Sequence, residues 1–290
     1  GPDMKILSWA EFKGWKTAQR SSGLAERPFA ATVGVFDGLH IGHKTLIEKV
    51  RSKKPAMASV VLTFRESPKK ILRPSSFHGD LLALEDKLEA LEGCGIDFCV
   101  LIDFSADFST LSGVEFLHAL GESGVAYLAM GPDFRCGYRN DTDAEALAKI
   151  CRGTDIEAEI VGPVLWAGHA VSSTRIRHAV IEGRLEDAAH MLGRPYGVEL
   201  AAAAPGSSIR EPGSSAREPG TFEAAGRWAA RKFAAGRVVP PSGLYAAEIL
   251  LEKGCAKTAV RLSPEGVSIE DPRGREAAGI VFLNMVSREF

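Results

Sequence analysis

The chain has no run of about 18 apolar residues, so no membrane-spanning helix is expected. An excess of charge of one sign is missing too. Its 35 Lys and Arg stand against 37 Asp and Glu, a formal net charge of −2. That balance gives no general pull toward nucleic acid or an anionic membrane surface, and neither is expected as a partner. Cysteines are few, odd in number and scattered at 94, 99, 136, 151 and 255. They read as reduced thiols rather than a disulfide framework, and only Cys94 and Cys99 approach the paired spacing of a zinc site. No metal-ligand spacing links His118, His169, His178 and His190. A Walker A loop is absent, because GHKT (42–45 in context, residues Gly42 to Thr45) lacks the Gly-Lys step. The opening GPDMKIL lacks the basic-then-apolar layout of a signal peptide, so a cytoplasmic protein is expected. Gly1 to Asp3, ahead of Met4, read as a remnant of an expression vector.

What is there suffices for two cores of ordinary domain size: 290 residues, 45% of them hydrophobic. Apolar, β-branched runs at 31–35, 59–64, 98–102, 125–130 and 156–161 read as buried strands. Between them, 40–50, 81–91, 114–120, 144–151 and a stretch from Thr174 carry helical spacing. Such alternation means βαβ units in a mostly parallel, Rossmann-like sheet, with a site at the carboxyl ends of the strands. After Tyr196 the texture changes. Residues 201–220 are rich in Ala, Gly, Ser, Pro and Arg and hold an imperfect seven-residue repeat, GSSIREP then GSSAREP. They cannot bury enough apolar surface to order themselves and read as a mobile loop or linker, followed by a charged amphipathic stretch at 222–235. The tail shows short strand-like runs, LYAAEILL, TAVRL, GVSIE and GIVFLNMV, consistent with a small β-barrel-like domain. The expected organisation is an α/β domain at 1–190, a linker and loop region at 191–236, and a β domain at 237–290.

Two motifs carry chemistry. GVFDGLHIGHKTL (34–46) places a glycine turn and then a helix directly after a strand. A helix start of this kind offers free N–H groups and partial positive charge to an anion. His40 and His43, three apart, are expected on one helical face, where imidazole can donate to phosphate oxygens and to a leaving pyrophosphate. Gly38 and Gly42 would keep side chains clear of a triphosphate. VSSTRIR (171–177) supplies N-cap hydroxyls at Ser172, Ser173 and Thr174 and guanidinium forks at Arg175 and Arg177. Two helix starts of this kind can grip one triphosphate from both sides.

The pair of motifs resembles the nucleotidylyltransferase superfamily. Class I aminoacyl-tRNA synthetases share HIGH but also need a KMSKS-type loop, which this chain lacks. GVFDGLHIGH, TFRESPKKIL, GPDFRCGYRNDTDAEAL and VSSTRIRHAVIEGRLEDAAHMLGRPY, in this order, are similar to the bacterial bifunctional riboflavin kinase/FAD synthetases over about residues 30–197. The resemblance implies an FMN adenylyltransferase that converts FMN and ATP to FAD and pyrophosphate with Mg²⁺. It places His40, His43 and Arg177 in catalysis. ATP would be held by Gly34, Phe36, Asp37, Gly38, His40, His43, Ser173, Thr174 and Arg177, and FMN by Phe64, Pro68, Asp133 and Phe134. It implies small-molecule partners and a monomer or weak homo-oligomer, and identifies no metal ligands. Two positions depart from the pattern: Ser67 stands where a histidine is usual, and Cys136 where an aromatic is usual, which weakens the expected flavin stacking.

The tail resembles that family's kinase domain in VVPPSGLYAAEIL and in EDPRGREAAGIVFLNMVSREF. Its Gly-Arg-x-x-Gly-x-Pro-Thr-Ala-Asn string is replaced by AAGRWAARKFAAGRVVPPSG. A barrel without kinase chemistry is therefore expected. The alternatives are a bifunctional enzyme with a live kinase site, a transferase with another acceptor, and a non-catalytic flavin or nucleotide sensor on the same fold.

Overall fold

The computed structural model describes residues 4–22, 27–201 and 229–288, so the GSSIREP repeat and the start of the 222–235 stretch lie outside the described residues. Two compact units divide the chain. The first holds Gly1–Phe77 and Leu84–Val171, the second His78–Ala83 and Ser172–Phe290.

The first unit is built on six parallel strands: β1 (Lys5–Ser8), β2 (Phe29–Val33), β3 (Ala58–Phe64), β4 (Phe98–Ile102), β5 (Val125–Met130) and β6 (Glu157–Ile160). Their order is β1-β4-β3-β2-β5-β6. The connections run outward one way from β2 and the other way from β5, so the sheet reverses direction between these two strands. The connecting helices are α1 (Trp9–Ser22), α2 (Ile41–Arg51), α3 (Leu84–Gly93), α4 (Gly113–Glu122) and α5 (Ala144–Cys151).

Every residue of β2 is buried, as expected for a strand covered on both faces. Its side chains alternate between two cores. Phe29, Ala31 and Val33 join a large cluster with Phe12, Leu62, Leu120, Leu128 and Met130, while Ala30 joins Val50, Tyr127 and Ala129. Helix starts follow local chemistry. Ser112 and Glu115 form a capping box at α4, and Asp143 accepts from Ala146 N at 2.9 Å at α5.

The observed β2–β6 and α2–α5 agree with the expected alternation to within a few residues. β1 and α1 are additional. Trp9, Phe12 and Trp15 recur at threes along α1, and Phe12 is fully buried. That spacing is a helical signal within the N-terminal 22 residues.

Among the described residues, the second unit contains α6 (Ser173–Ile181), α7 (Leu185–Leu192) and six antiparallel strands. These are β7 (Tyr196–Glu199), β8 (Ala229–Arg231), β9 (Gly243–Leu251), β10 (Gly254–Ser263), β11 (Gly266–Ile269) and β12 (Gly279–Arg288). Their order is β7-β12-β9-β10-β11-β8. The two outer strands then meet through a Leu200–Phe233 bridge, with Ala201 N bonded to Lys232 O (2.9 Å) and Ala234 N to Glu199 O (3.0 Å). This contact curls the sheet into a barrel-like form and covers part of its two edges. β9 alternates inward Tyr245, Ala247 and Ile249 with less buried neighbours, the period of a one-sided strand. Tyr196–Glu199, inside the stretch read as linker, is a barrel strand paired with β12. Residues 78–83 belong to this unit as well, where Asp80 N bonds Gly236 O (2.8 Å) and Val238 N bonds Asp80 O (3.2 Å).

Among the described residues no helix is long and apolar enough to cross a membrane.

Candidate active site

β2 ends at Val33, and the chain then turns sharply before α2. Phe36 (φ 53°), Gly38 (φ 78°) and Leu39 (φ 41°) all take left-handed backbone within this turn. Only glycine does so without strain, so the turn stores strain at Phe36 and Leu39 and needs glycine at 38. Gly34 lies against the Phe36 ring, and a Cβ there would meet two ring carbons at 3.3 Å. Phe36, Asp37, Gly38, Leu39 and His40 are all buried.

His40 is not in the helix but caps it. Its backbone is extended (φ −69°, ψ 171°), and its Nδ1 accepts from His43 N at 3.3 Å. An accepting Nδ1 leaves the proton of the neutral ring on Nε2. The two imidazoles stack at 3.5 Å between centroids, 20° apart in plane, and Phe36 meets the His43 ring edge-on at 5.1 Å. The expectation that both histidines share a helical face is therefore replaced by a cap and a stack. Gly42 serves the same arrangement: a Cβ there would lie 3.2 Å from Cε1 and Nδ1 of His40.

Burial brings the His40 pKa down to about 4. His43 falls well below the usual histidine range, first through burial, then through His40 and Lys87. Both rings are neutral at pH 7. The Nδ1 of His43 is buried without a hydrogen-bond partner. Neutral imidazoles at a helix start suit hydrogen bonding to phosphate oxygens.

Of the residues assigned to a flavin, Phe64 ends β3 and contacts Phe104 and Phe108 edge-on at 6.1 and 5.7 Å. Pro68 opens a short helix after β3. Asp133, exposed, and Phe134, half-buried against the core, lie in the turn after β5, where Phe134 N bonds Gly131 O at 3.1 Å. Phe64 is at, and the other three follow, the carboxyl ends of the strands flanking β2. Ser67 is buried, and burial pushes the Cys136 thiol up to about 12, with Asp141 adding to the shift.

Ser173, Thr174 and Arg177 stand on α6 in the second unit, which Ser172 caps by accepting from Arg175 N at 3.2 Å. Thr174 is exposed and Ser173 half-buried. Arg177 is 9% exposed, and its Nε donates to Gly79 O at 2.9 Å. Part of this guanidinium is thus committed inside its own unit.

The sequence reading did not single out Lys87. It is buried on α3, one turn before the buried Leu91, and donates to the ends of β2 and β3. A charged residue on the apolar face of a helix was the available signal. Among the described residues no group of three His, Cys, Asp or Glu side chains is arranged to hold a metal ion.

The chain is similar to known proteins over its first unit. The model of a family described as FAD synthetase matches residues 24–175. A bifunctional riboflavin kinase/FMN adenylyltransferase of Listeria monocytogenes is 33% identical over 168 residues, 57% of this chain and 53% of that one. The enzyme of the same description from Escherichia coli K12 is 28% identical over 171 residues, covering 58% and 55%. The matches thus span about half the length of these relatives. A solved structure described as a macrolide-efflux protein from Streptococcus pneumoniae superposes with a TM-score of 0.77, covering 99% of this chain and 92% of that one. At 20% identity that likeness speaks for the fold alone.

Proposed function

The chain belongs to the FAD synthetase family, and from that premise we propose that it is an FMN adenylyltransferase. A phosphate oxygen of FMN attacks the α-phosphorus of ATP in line. The new P–O bond gives FAD, the bond from the α-phosphorus to its bridging oxygen breaks, and pyrophosphate leaves. No covalent enzyme intermediate forms.

The observation that carries the reading is the stacked pair of neutral imidazoles at the start of α2, beside the reversal of the sheet. His40, with its proton on Nε2, and His43 donate to phosphate oxygens as charge shifts onto the departing pyrophosphate. Neutral donors suit this role because they need not shed a proton to stay matched to the site at pH 7. Gly34, Phe36, Asp37 and Gly38 shape the turn that presents the rings and the first free N–H groups of α2. For Ser173, Thr174 and Arg177 a phosphate-binding role rests on the sequence resemblance. Phe64, Pro68, Asp133 and Phe134 are proposed to receive the flavin. Mg²⁺ belongs to the proposal as an ion carried on the nucleotide phosphates. The protein's own share is positioning and charge stabilisation.

We further propose that the barrel lacks riboflavin kinase activity, supported by the absence of the Pro-Thr-Ala-Asn string before β9.

The test is to incubate the pure protein with ATP and Mg²⁺, with FMN in one tube and riboflavin in another, and to separate the flavins by chromatography. FAD from FMN with riboflavin untouched supports both parts. FMN or FAD arising from riboflavin overturns the second part. No reaction in either tube overturns the first.

A further inference from the structure

A lysine taken out of water costs free energy unless its charge is met by well-placed acceptors. Lys87 on α3 is only 7% exposed. Its Nζ donates to Val35 O at 3.2 Å, to Thr63 Oγ1 at 3.2 Å and to Phe64 O at 3.1 Å. The Thr63 hydroxyl donates in turn to Val35 O at 3.0 Å. These acceptors occupy a particular place. The paired register of β2 and β3 ends at Val33–Leu62, with a last bond from Gly34 N to Leu62 O at 3.0 Å. Beyond it the strands part. β2 enters the strained turn toward His40, and β3 continues beside β4 to Phe64. Lys87 and Thr63 take over where the ladder stops, tying the first residues of the turn to the end of the neighbouring strand.

We infer that Lys87 is a positioning residue for the adenylyl transfer proposed above: its ammonium pins the carboxyl ends of β2 and β3 and so sets the turn that carries His40 and His43. The inference rests on that functional reading. A turn holding left-handed backbone at Phe36 and Leu39 needs outside bonds to keep it, and the three acceptors lie at its base. The lysine's charge has a second effect, since it acts against protonation of His43. A core-filling role would need only the four-carbon stem, which methionine reproduces without charge or donors.

The experiment compares Lys87→Met and Thr63→Val with the wild type in conversion of FMN and ATP to FAD. The ring Cε1–Hε1 signals of the seven histidines are recorded on the same samples by NMR. The expected result is a kcat lower by at least ~10-fold with KM for ATP within about threefold, since the ground-state contacts stay and the placement of the donors changes. Two histidine signals, those lost in His40→Gln and His43→Asn, should move in both variants while the other five stay. Thr63→Val keeps the shape of a fully buried side chain, so it decides the matter should Lys87→Met not fold. Wild-type kcat in a folded variant overturns the inference. If the wild type itself makes no FAD, the functional reading fails. The ring signals then decide alone: moved signals support the positioning role, and unmoved ones overturn it.

Discussion

His40 caps the helix that begins beside it and stacks on His43, accepting the backbone N–H of His43 at 3.3 Å while the two rings lie 3.5 Å apart. One contact thus orients both imidazoles. The first side chain fixes the helix start, and the helix start fixes the second side chain.

Removing the second ring should affect rate rather than fold. His43→Ala is expected to lower FAD formation by roughly 10²–10³, the usual loss for one charge-stabilising donor. The variant should still unfold cooperatively, with a melting temperature lowered only by the lost packing against His40 and Phe36, since the Nδ1 of this ring makes no hydrogen bond. Full activity in the folded variant would remove His43 from the reaction.

Gly42→Ala separates packing from helix propensity. Alanine favours the helix by about 0.8–1 kcal/mol over glycine. The added Cβ, however, would lie 3.2 Å from the His40 ring, which must shift to admit it. The expected outcome is an unchanged or slightly raised melting temperature with a kcat reduced by about tenfold. Unchanged kcat would show that the His40 position has slack.

Acid should destabilise the first unit in a defined window. The unfolded histidines titrate near 6.5, whereas burial brings His40 to about 4 and holds His43 well below 6.5. Between about pH 6.5 and 4 the unfolded chain therefore binds protons that the native chain refuses. Stability falls with acid across that window, by up to ~1.4 kcal/mol per pH unit for each ring. Above pH 6.5 the rings add no slope. Urea denaturation at pH 7 and pH 5 measures the fall, and a His40→Gln, His43→Asn double variant should show a shallower dependence.

Arg177 should prove structural as well as functional. Its Nε bond to Gly79 O ties residues 78–83 to α6 within the second unit. Losing a buried bond from a charged donor costs about 1.5–3 kcal/mol. Arg177→Ala is expected to be destabilised by that order in urea and to be cleaved faster near Gly79 in limited proteolysis. A variant of wild-type stability that has lost only ATP affinity would confine the residue to the substrate.

The N-terminal helix should be integral to the first unit. Phe12 is fully buried and meets Phe29 of β2 at 5.5 Å between ring centroids. Phe12→Ala is expected to cost about 3–5 kcal/mol, read as a shift in the denaturation midpoint.

Much of this molecule is legible along the chain. Alternating apolar and amphipathic runs determine five of the six parallel strands and their helices, because burial on both faces imposes continuous apolar runs on the strands and a 3.6-residue period on the helices. The string GVFDGLHIGH determines a strand, a glycine turn and a helix start, since positive φ at 38 needs glycine and the helix start needs a cap. Other features required the tertiary structure. Tyr196–Glu199 is too short to read as a strand until β12 lies beside it. That His40 is a cap rather than a helical residue depends on where the strained turn releases the chain. The role of Lys87 exists only where α3 packs against the ends of β2 and β3, which are 52 and 24 residues away along the chain at Val35 and Thr63. Local periodicity records how a segment meets its own neighbours. Which distant carbonyl a buried ammonium reaches is decided by packing.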